Sequence, residues 1–504
     1  MSERKRPLFE AMRTYDHLHT SRFHVPGHKG KAEAYEEAAS YYGPILALDV
    51  TELPGTDDLH HPEAAILEAQ RLAASCFGAD ETFFLVGGST VGNQAAILAA
   101  CRPGELLLVQ RDAHKSVIHG LMLAGIKAVF ITPRQDPASG LFTGLQRQDV
   151  EEALRRYPEA QGLLVTCPTY YGVSADLRPL ADLLHAQDKL LLVDEAHGAH
   201  FGFHPELPLS ALSAGADVVV QSTHKMLTAM TMGSMLHVQG DRINRKALRQ
   251  ALAMLQSSSP SYPIMGSLDL SRDWLQEQGF QAIDEGLKAI NSLKIELQKN
   301  QRWRTVEPNG TSRRCDPFKM VLEDSYGILS GFELKEQLER RGCYAEMADP
   351  ERVVLAFGLT GQHQEAQRLL GALKDIEAGL AASKGNGRAQ PDIGRHQSES
   401  YDCPEASNSP HERQDLIGQP VSFTIESLHR EEPDVSHVPL ERCEGRIAAE
   451  MIVPYPPGIP LLYPGEYIGK RVSAELRRLA AAGARFQGYD VSGRKTVPVY
   501  VSSK

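Results

Sequence analysis

No C-x-x-C pair occurs in this 504-residue chain, and its seven cysteines, at 76, 101, 167, 315, 343, 403 and 443, are scattered. That usage excludes a disulfide framework or a zinc finger and points to a reduced, cytoplasmic setting. No apolar run approaches a membrane span, and the opening Met1-Ser2-Glu3-Arg4-Lys5-Arg6-Pro7 has no apolar stretch behind it. Positive charge is in deficit. Lys+Arg 53 against Asp+Glu 64 leaves −11, which argues against a nucleic-acid or anionic-membrane partner. Neither G-x-x-x-x-G-K-[ST] nor G-x-G-x-x-G is present, so ATP and dinucleotides are disfavoured. What is there is a globular composition, 42% hydrophobic and 23% charged, with length enough for two to four domains.

Two apolar runs end in reactive side chains. Asp217-Val218-Val219-Val220 leads into Gln221-Ser222-Thr223-His224-Lys225, and Leu190-Leu191-Leu192-Val193 leads into Asp194-Glu195-Ala196-His197-Gly198. β-branched runs of this kind read as buried parallel strands, and open α/β sheets bind ligands just beyond such carboxyl ends. A lysine and an acid at neighbouring strand ends suit pyridoxal phosphate (PLP). Lys225 supplies the Schiff base, and Asp194 pairs with the pyridine nitrogen and keeps it protonated. Asp194-Glu195-Ala196-His197 also has the letters of a Walker B box, a reading that fails without a Walker A loop. A metal on His197, His200 and His204 is disfavoured because Gly198 and Gly202 break any shared helical face.

Upstream, the expected strand Thr82-Phe83-Phe84-Leu85-Val86 is followed by Gly87-Gly88-Ser89-Thr90-Val91-Gly92-Asn93, opening a helix expected over Gln94 to Ala100. Glycines before a helix start let backbone N–H groups approach an anion, and Ser89 and Thr90 add hydroxyls, so this is a candidate phosphate cradle. Leu106-Leu107-Leu108-Val109 ends near His114, which either stacks on a cofactor ring or is a hydrogen-bonded core histidine. His24, His28 and Lys29 sit in a Pro-Gly turn and read either as an anion site or as a solvated loop. In Gly55-Thr56-Asp57-Asp58-Leu59-His60-His61-Pro62, Asp58 is the acid expected near a helix start, an explanation preferred to a metal.

Strands alternate with amphipathic helices from about 80 to 240, which predicts a mostly parallel sheet with helices on both faces. The expected organisation is a helical arm over 1–50, a ligand-binding large domain over 51–270, and a smaller α+β domain over 271–382. Residues 383–430, rich in Gly, Ser, Pro and charge, read as a linker or disordered stretch. A compact C-terminal domain over 431–504 includes the rigid, proline-rich run ending at Glu466.

Phe23-His24-Val25-Pro26-Gly27-His28-Lys29, Asp57-Asp58-Leu59-His60, Ala113-His114-Lys115-Ser116, Asp194-Glu195-Ala196-His197-Gly198, Ser222-Thr223-His224-Lys225 and Pro454-Tyr455-Pro456-Pro457-Gly458 together resemble the bacterial Orn/Lys/Arg decarboxylases, in family order over nearly the whole chain. The resemblance implies a PLP-dependent enzyme of fold type I, like the shorter Gram-positive-type members without a receiver-like wing domain. It implies Lys225 as Schiff-base lysine, Asp194 as pyridinium partner and His114 as the stacking ring. Ser89, Thr90, Ser222 and His224 would hold the phosphate, with His197 beside the cofactor. Glu466 resembles the acid that meets the substrate's distal cation. A homodimer is implied too. The expected reaction is decarboxylation of arginine, lysine or ornithine, with arginine, giving agmatine for polyamine biosynthesis, preferred. An aminotransferase or aldolase of the same fold, or a non-catalytic PLP-fold binding protein, is the alternative.

Overall fold

The computed structural model describes residues 4–18, 20–309, 313–385, 416–425, 435–454 and 459–501. Most of the expected 383–430 linker, and Tyr455 to Gly458 of the proline motif, lie outside the described residues.

The large sheet is built from strands β1 (Glu81–Leu85), β2 (Leu106–Gln110), β3 (Lys127–Ile131), β4 (Gly162–Thr166), β6 (Leu190–Asp194), β7 (Val218–Gln221) and β8 (Ser234–Val238), with the short β5 (Val173–Ala175) outside it. The order is β1-β8-β7-β6-β4-β2-β3, extended at its edge by Val421–Ser422. β7, β6, β4, β2 and β3 are mutually parallel. β8 runs against both β7 and β1, so β1 points the same way as the parallel set. β2, β4, β6 and β7 are buried along their whole length, which is why they read as unbroken apolar runs rather than alternating ones. The carboxyl ends of β1, β2, β4, β6 and β7 therefore open on one edge. The two-residue strand Val421–Ser422 pairs antiparallel with β3 and covers part of that edge of the sheet.

The helix after β1 begins at Gly88, not Gln94, and runs to Ala100. Ser89 and Thr90 thus occupy its first turn. The turn into it needs glycine, since Gly88 has φ +75°. Gly92 lets the helix press on the sheet, where a Cβ would meet Val220 at 2.6 Å and Leu85 at 2.8 Å.

A helix of 37 residues, Tyr262–Gln298, crosses the expected boundary at 270 without a break. Its Pro263 sits in the first turn, where a missing N–H costs nothing, so the Ser-Pro-rich break ends before the helix rather than inside it. It leads to a four-stranded antiparallel sheet in the order Met347–Ala348, Arg352–Ala356, Lys319–Asp324, Trp303–Thr305. Arg313–Cys315 pairs with β5 and ties this unit to the large one. The C-terminal residues pair Val435–Pro439 with Thr496–Tyr500 around their own core of Ile452, Leu462, Ile468, Leu476 and Val497. No helix among the described residues is long and apolar enough to cross a membrane.

Two local expectations change. The acid capping the helix Ala65–Phe77 is Asp57, which accepts from the N–H groups of Asp58, Glu63, Ala64, Ile66 and Leu67. Burial opposes its charge, but these bonds together hold its carboxyl below the ordinary value. The basic trio near Pro26 is used locally: His28 lies 3.1 Å from Asp49, and His24 lies 2.6 Å from the Tyr15 hydroxyl.

Candidate active site

The carboxyl ends of β4, β6 and β7, with the first turn of the Gly88–Ala100 helix and the residues after β2, enclose one cleft. It is lined by Ser89, His114, Thr166, Tyr170, Asp194, His197 and Lys225. Register explains the grouping: Thr166 pairs with Asp194, and Asp194 with Val220, across three neighbouring strands.

Asp194 is buried. Its Oδ2 accepts from Asn93 Nδ2 at 2.8 Å and its Oδ1 from the Ala196 N–H at 3.1 Å. Asn93 also donates to Ser116 Oγ at 3.0 Å, and that hydroxyl lies 2.9 Å from His114 Nδ1. His114 caps the helix Lys115–Ala124, accepting from the Ser116 N–H. Burial pulls the His114 ring well below its ordinary pKa, against the opposing charge of Asp194. The outcome is a neutral flat ring whose orientation is fixed through Asn93 and Ser116.

Ser222 Oγ donates to Ser89 Oγ at 2.8 Å, joining the start of the helix to the end of β7. Thr90 is exposed on the same turn. The buried hydroxyls of Thr166 and Thr223 have no protein partner among the described residues. His224 turns to the Gly233 carbonyl, its Nδ1 3.0 Å away.

Lys225 is exposed as a residue, yet protein surrounds its amine closely enough that desolvation lowers its pKa, with Asp194 and Glu346 pulling the other way. Its Nζ lies 3.1 Å from His197 Nε2, and the other ring nitrogen of His197 lies 2.9 Å from Lys319 Nζ. His197 is buried and its pKa falls well below the ordinary value, through burial and then the two lysines.

Tyr170 reaches the cleft from the turn Cys167 to Gly172, which the sequence places facing this pocket, whereas Lys319 and Asn93 belong to the site with no role legible in the sequence. Lys319 heads the apolar run Met320-Val321-Leu322, and a lysine opening a core strand is the one signal that could have pointed to it. Glu466 is not brought to the cleft. It forms a two-pronged pair with Arg111, one prong at 2.9 Å, while Arg111 also donates to the Leu461 carbonyl at 3.0 Å. Tyr463 stacks on Phe130, ring centres 4.4 Å apart, and its hydroxyl donates to the Arg111 carbonyl at 2.8 Å.

Comparison with known proteins bears on this geometry. The model of the Orn/Lys/Arg decarboxylase major domain matches residues 6–313, and that of the family's C-terminal domain matches 424–495. The chain belongs to the Orn/Lys/Arg decarboxylase family. It is 32% identical over 510 residues to an arginine decarboxylase of Bacillus subtilis, covering 100% of this chain and 99% of that one. An arginine decarboxylase of Bacillus anthracis is 33% identical, over 97% and 96% of the two chains. An uncharacterized Bacillus subtilis protein, YaaO, is 39% identical over 99% of both. The solved lysine decarboxylase A of Pseudomonas aeruginosa superposes with TM-score 0.80 at 22% identity, over 98% of this chain and 80% of that one, a likeness of fold. Serine palmitoyltransferase with PLP superposes less closely, at TM-score 0.52 over 69% of this chain. This Orn/Lys/Arg family member is therefore a decarboxylase of the fold-type-I class, and its family acts on basic amino acids.

Proposed function

We propose that the chain decarboxylates arginine to agmatine with PLP held in the β4–β6–β7 cleft. One observation carries this reading: the Lys225 amine and the buried Asp194 carboxylate face one cleft from adjacent strand ends. The residues present fit the cofactor. The Lys225 amine would meet its aldehyde, the Asp194 carboxylate its ring N–H, and the His114 imidazole its flat face. A glycine-opened helix start with Ser89, Thr90 and Ser222 meets its phosphate. When bound, PLP supplies the electron sink that makes loss of the α-carboxylate feasible.

The chain's own residues do the rest. Asn93 and the Ala196 N–H fix the Asp194 carboxylate, which would pair with the ring nitrogen. Ser116 and Asn93 set the plane of His114. Ser89, Ser222 and the first-turn N–H groups would hold the phosphate, with His224 alongside. Lys225, or His197 at 3.1 Å from its amine, would return a proton to the substrate α-carbon. The arginine preference rests on the Bacillus relatives named above. Glu466 already binds a guanidinium, that of Arg111, and would have to exchange it to meet the substrate's. A cytoplasmic homodimer completes the reading, supported by apolar side chains left bare, among them Phe23 at 95% and Tyr41 at 81% exposed.

The test is mass analysis of amines after incubating the PLP-loaded protein with arginine, lysine or ornithine separately. Agmatine from arginine is expected. Cadaverine or putrescine in excess would move the substrate, and a keto acid without amine would overturn decarboxylation. Size-exclusion with light scattering tests the dimer.

A further inference from the structure

His197 stands between two lysines and can satisfy both only under one condition. A neutral imidazole carries one N–H donor and one bare nitrogen, while a charged ammonium has donors and no acceptor. Lys225 Nζ is 3.1 Å from Nε2 and Lys319 Nζ is 2.9 Å from Nδ1. If both lysines were charged, both ring nitrogens would have to accept, which a neutral ring cannot do. One of the two amines must therefore be uncharged and receive the ring's N–H.

The surroundings choose which one. Lys319 is buried, at 5% exposure, and forms no ion pair among the described residues; its further partner is the Tyr170 carbonyl at 3.4 Å. Burial lowers its pKa to about 8, with Glu346 and Asp316 opposing and Lys225 adding to the fall. Asp316 is itself held by the buried His200 at 3.0 Å. Around Lys225 stand Asp194 and Glu346, which favour its charge, and the rings of His114, His197 and His224, which burial keeps neutral. Carboxylates stand near both amines, so hydrogen bonding decides: an ammonium at Lys319 has the Tyr170 carbonyl to share, whereas no carbonyl or carboxylate oxygen among the described residues lies within hydrogen-bond reach of Lys225 Nζ.

We infer that Lys319 is a positioning residue that acts through His197 to hold Lys225 uncharged. Lys319 donates to Nδ1, the ring's proton sits on Nε2, and Nε2–H donates to the lone pair of Lys225. That amine is then ready to condense with an aldehyde. Its lone pair forms the C–N bond, and the aldehyde oxygen leaves as water with the two amine hydrogens. The same chain gives a proton a path between the buried Lys319 and the cleft. This inference rests on the PLP reading above.

The experiment uses the full-length protein and PLP, following imine absorbance against pH and locating the bond by borohydride reduction and mass mapping. Wild type, Lys319→Met, Lys319→Arg and His197→Leu are compared, with thermal melting reporting fold. Lys319→Met and His197→Leu cut the chain at different links. Each should raise the pH midpoint for imine formation by about one unit or more, while Lys319→Arg, a permanent donor, should leave it near wild type. Unmoved midpoints in the folded cut variants, or a shift in Lys319→Arg equal to that in Lys319→Met, would overturn the inference while leaving the PLP reading intact. No reducible imine at Lys225 in wild type would overturn both.

Discussion

Arg111 and Lys225 both follow the carboxyl ends of strands in one sheet, and they are treated in opposite ways. Arg111 meets a two-pronged carboxylate, a carbonyl and two stacked rings. Lys225 has an imidazole at 3.1 Å, and no carboxylate among the described residues lies within ion-pair reach. A part-buried cation bonded three times, to both oxygens of a carboxylate and to a carbonyl, is fixed in place and holds two parts of the chain together. A cation left short of partners is costly unless it loses its proton, and a lysine in that state is reactive. Dense pairing marks the structural joint, and its lack marks the amine proposed to react.

The widest separation should come from Lys225→Ala, which removes the reactive amine and should lower turnover by at least about 10⁴-fold, read as amine product, while the protein still folds. Near-wild-type turnover would put Lys225 on the structural side. Asp194→Asn keeps the shape and removes the charge. A loss of about 10²–10³ in kcat/KM is expected, whereas a few-fold change would make Asp194 a packing residue.

At the joint the sign reverses: Glu466→Gln should mainly cost stability, about 2–4 kcal/mol because Arg111 is left without its carboxylate, read by denaturant melting. Arg111→Met combined with Glu466→Met should recover part of it. If instead KM for arginine rises more than tenfold with stability unchanged, Glu466 serves the substrate. The smallest effect concerns Glu195, the neighbour of Asp194 that faces away from the cleft, bonded at 2.7 Å to both Gln221 Nε2 and the Ala211 N–H. Burial pushes its carboxyl up to about 8 from an ordinary 4.5. Between those values the folded state keeps a proton that the unfolded chain has released. Its contribution to stability is thus complete below about pH 4.5 and lost as pH rises through about 8. Glu195→Gln should flatten the fall in Tm between pH 5 and 8, and an unchanged slope would remove Glu195 as its source.

The same contrast explains what the sequence made legible. Strands buried on both faces announce themselves as apolar runs, and the residues ending them, Asp194 and Lys225, could be read directly. Ser89 and His114 were legible because local turn chemistry positions them. Lys319 was not, because its role depends on a strand of the small sheet arriving beside His197, 122 residues away in sequence. Nor was the partner of Glu466, since a bare acid after a proline run does not say which cation it will find. The start of the Gly88–Ala100 helix was misjudged because glycine lowers helix propensity, and only close packing on Val220 gives Gly92 its reason to be there.

Arg111 and Glu466 are 355 residues apart. On a ribosome adding about 5–20 residues per second, tens of seconds pass between them. Throughout that interval the segment leading to His114 exists with a guanidinium awaiting its carboxylate, and Phe130 awaits the ring of Tyr463. The part of the protein made early is finished by the part made last, so a chain that stops before residue 466 leaves the Arg111 joint, just past the end of β2, without its carboxylate.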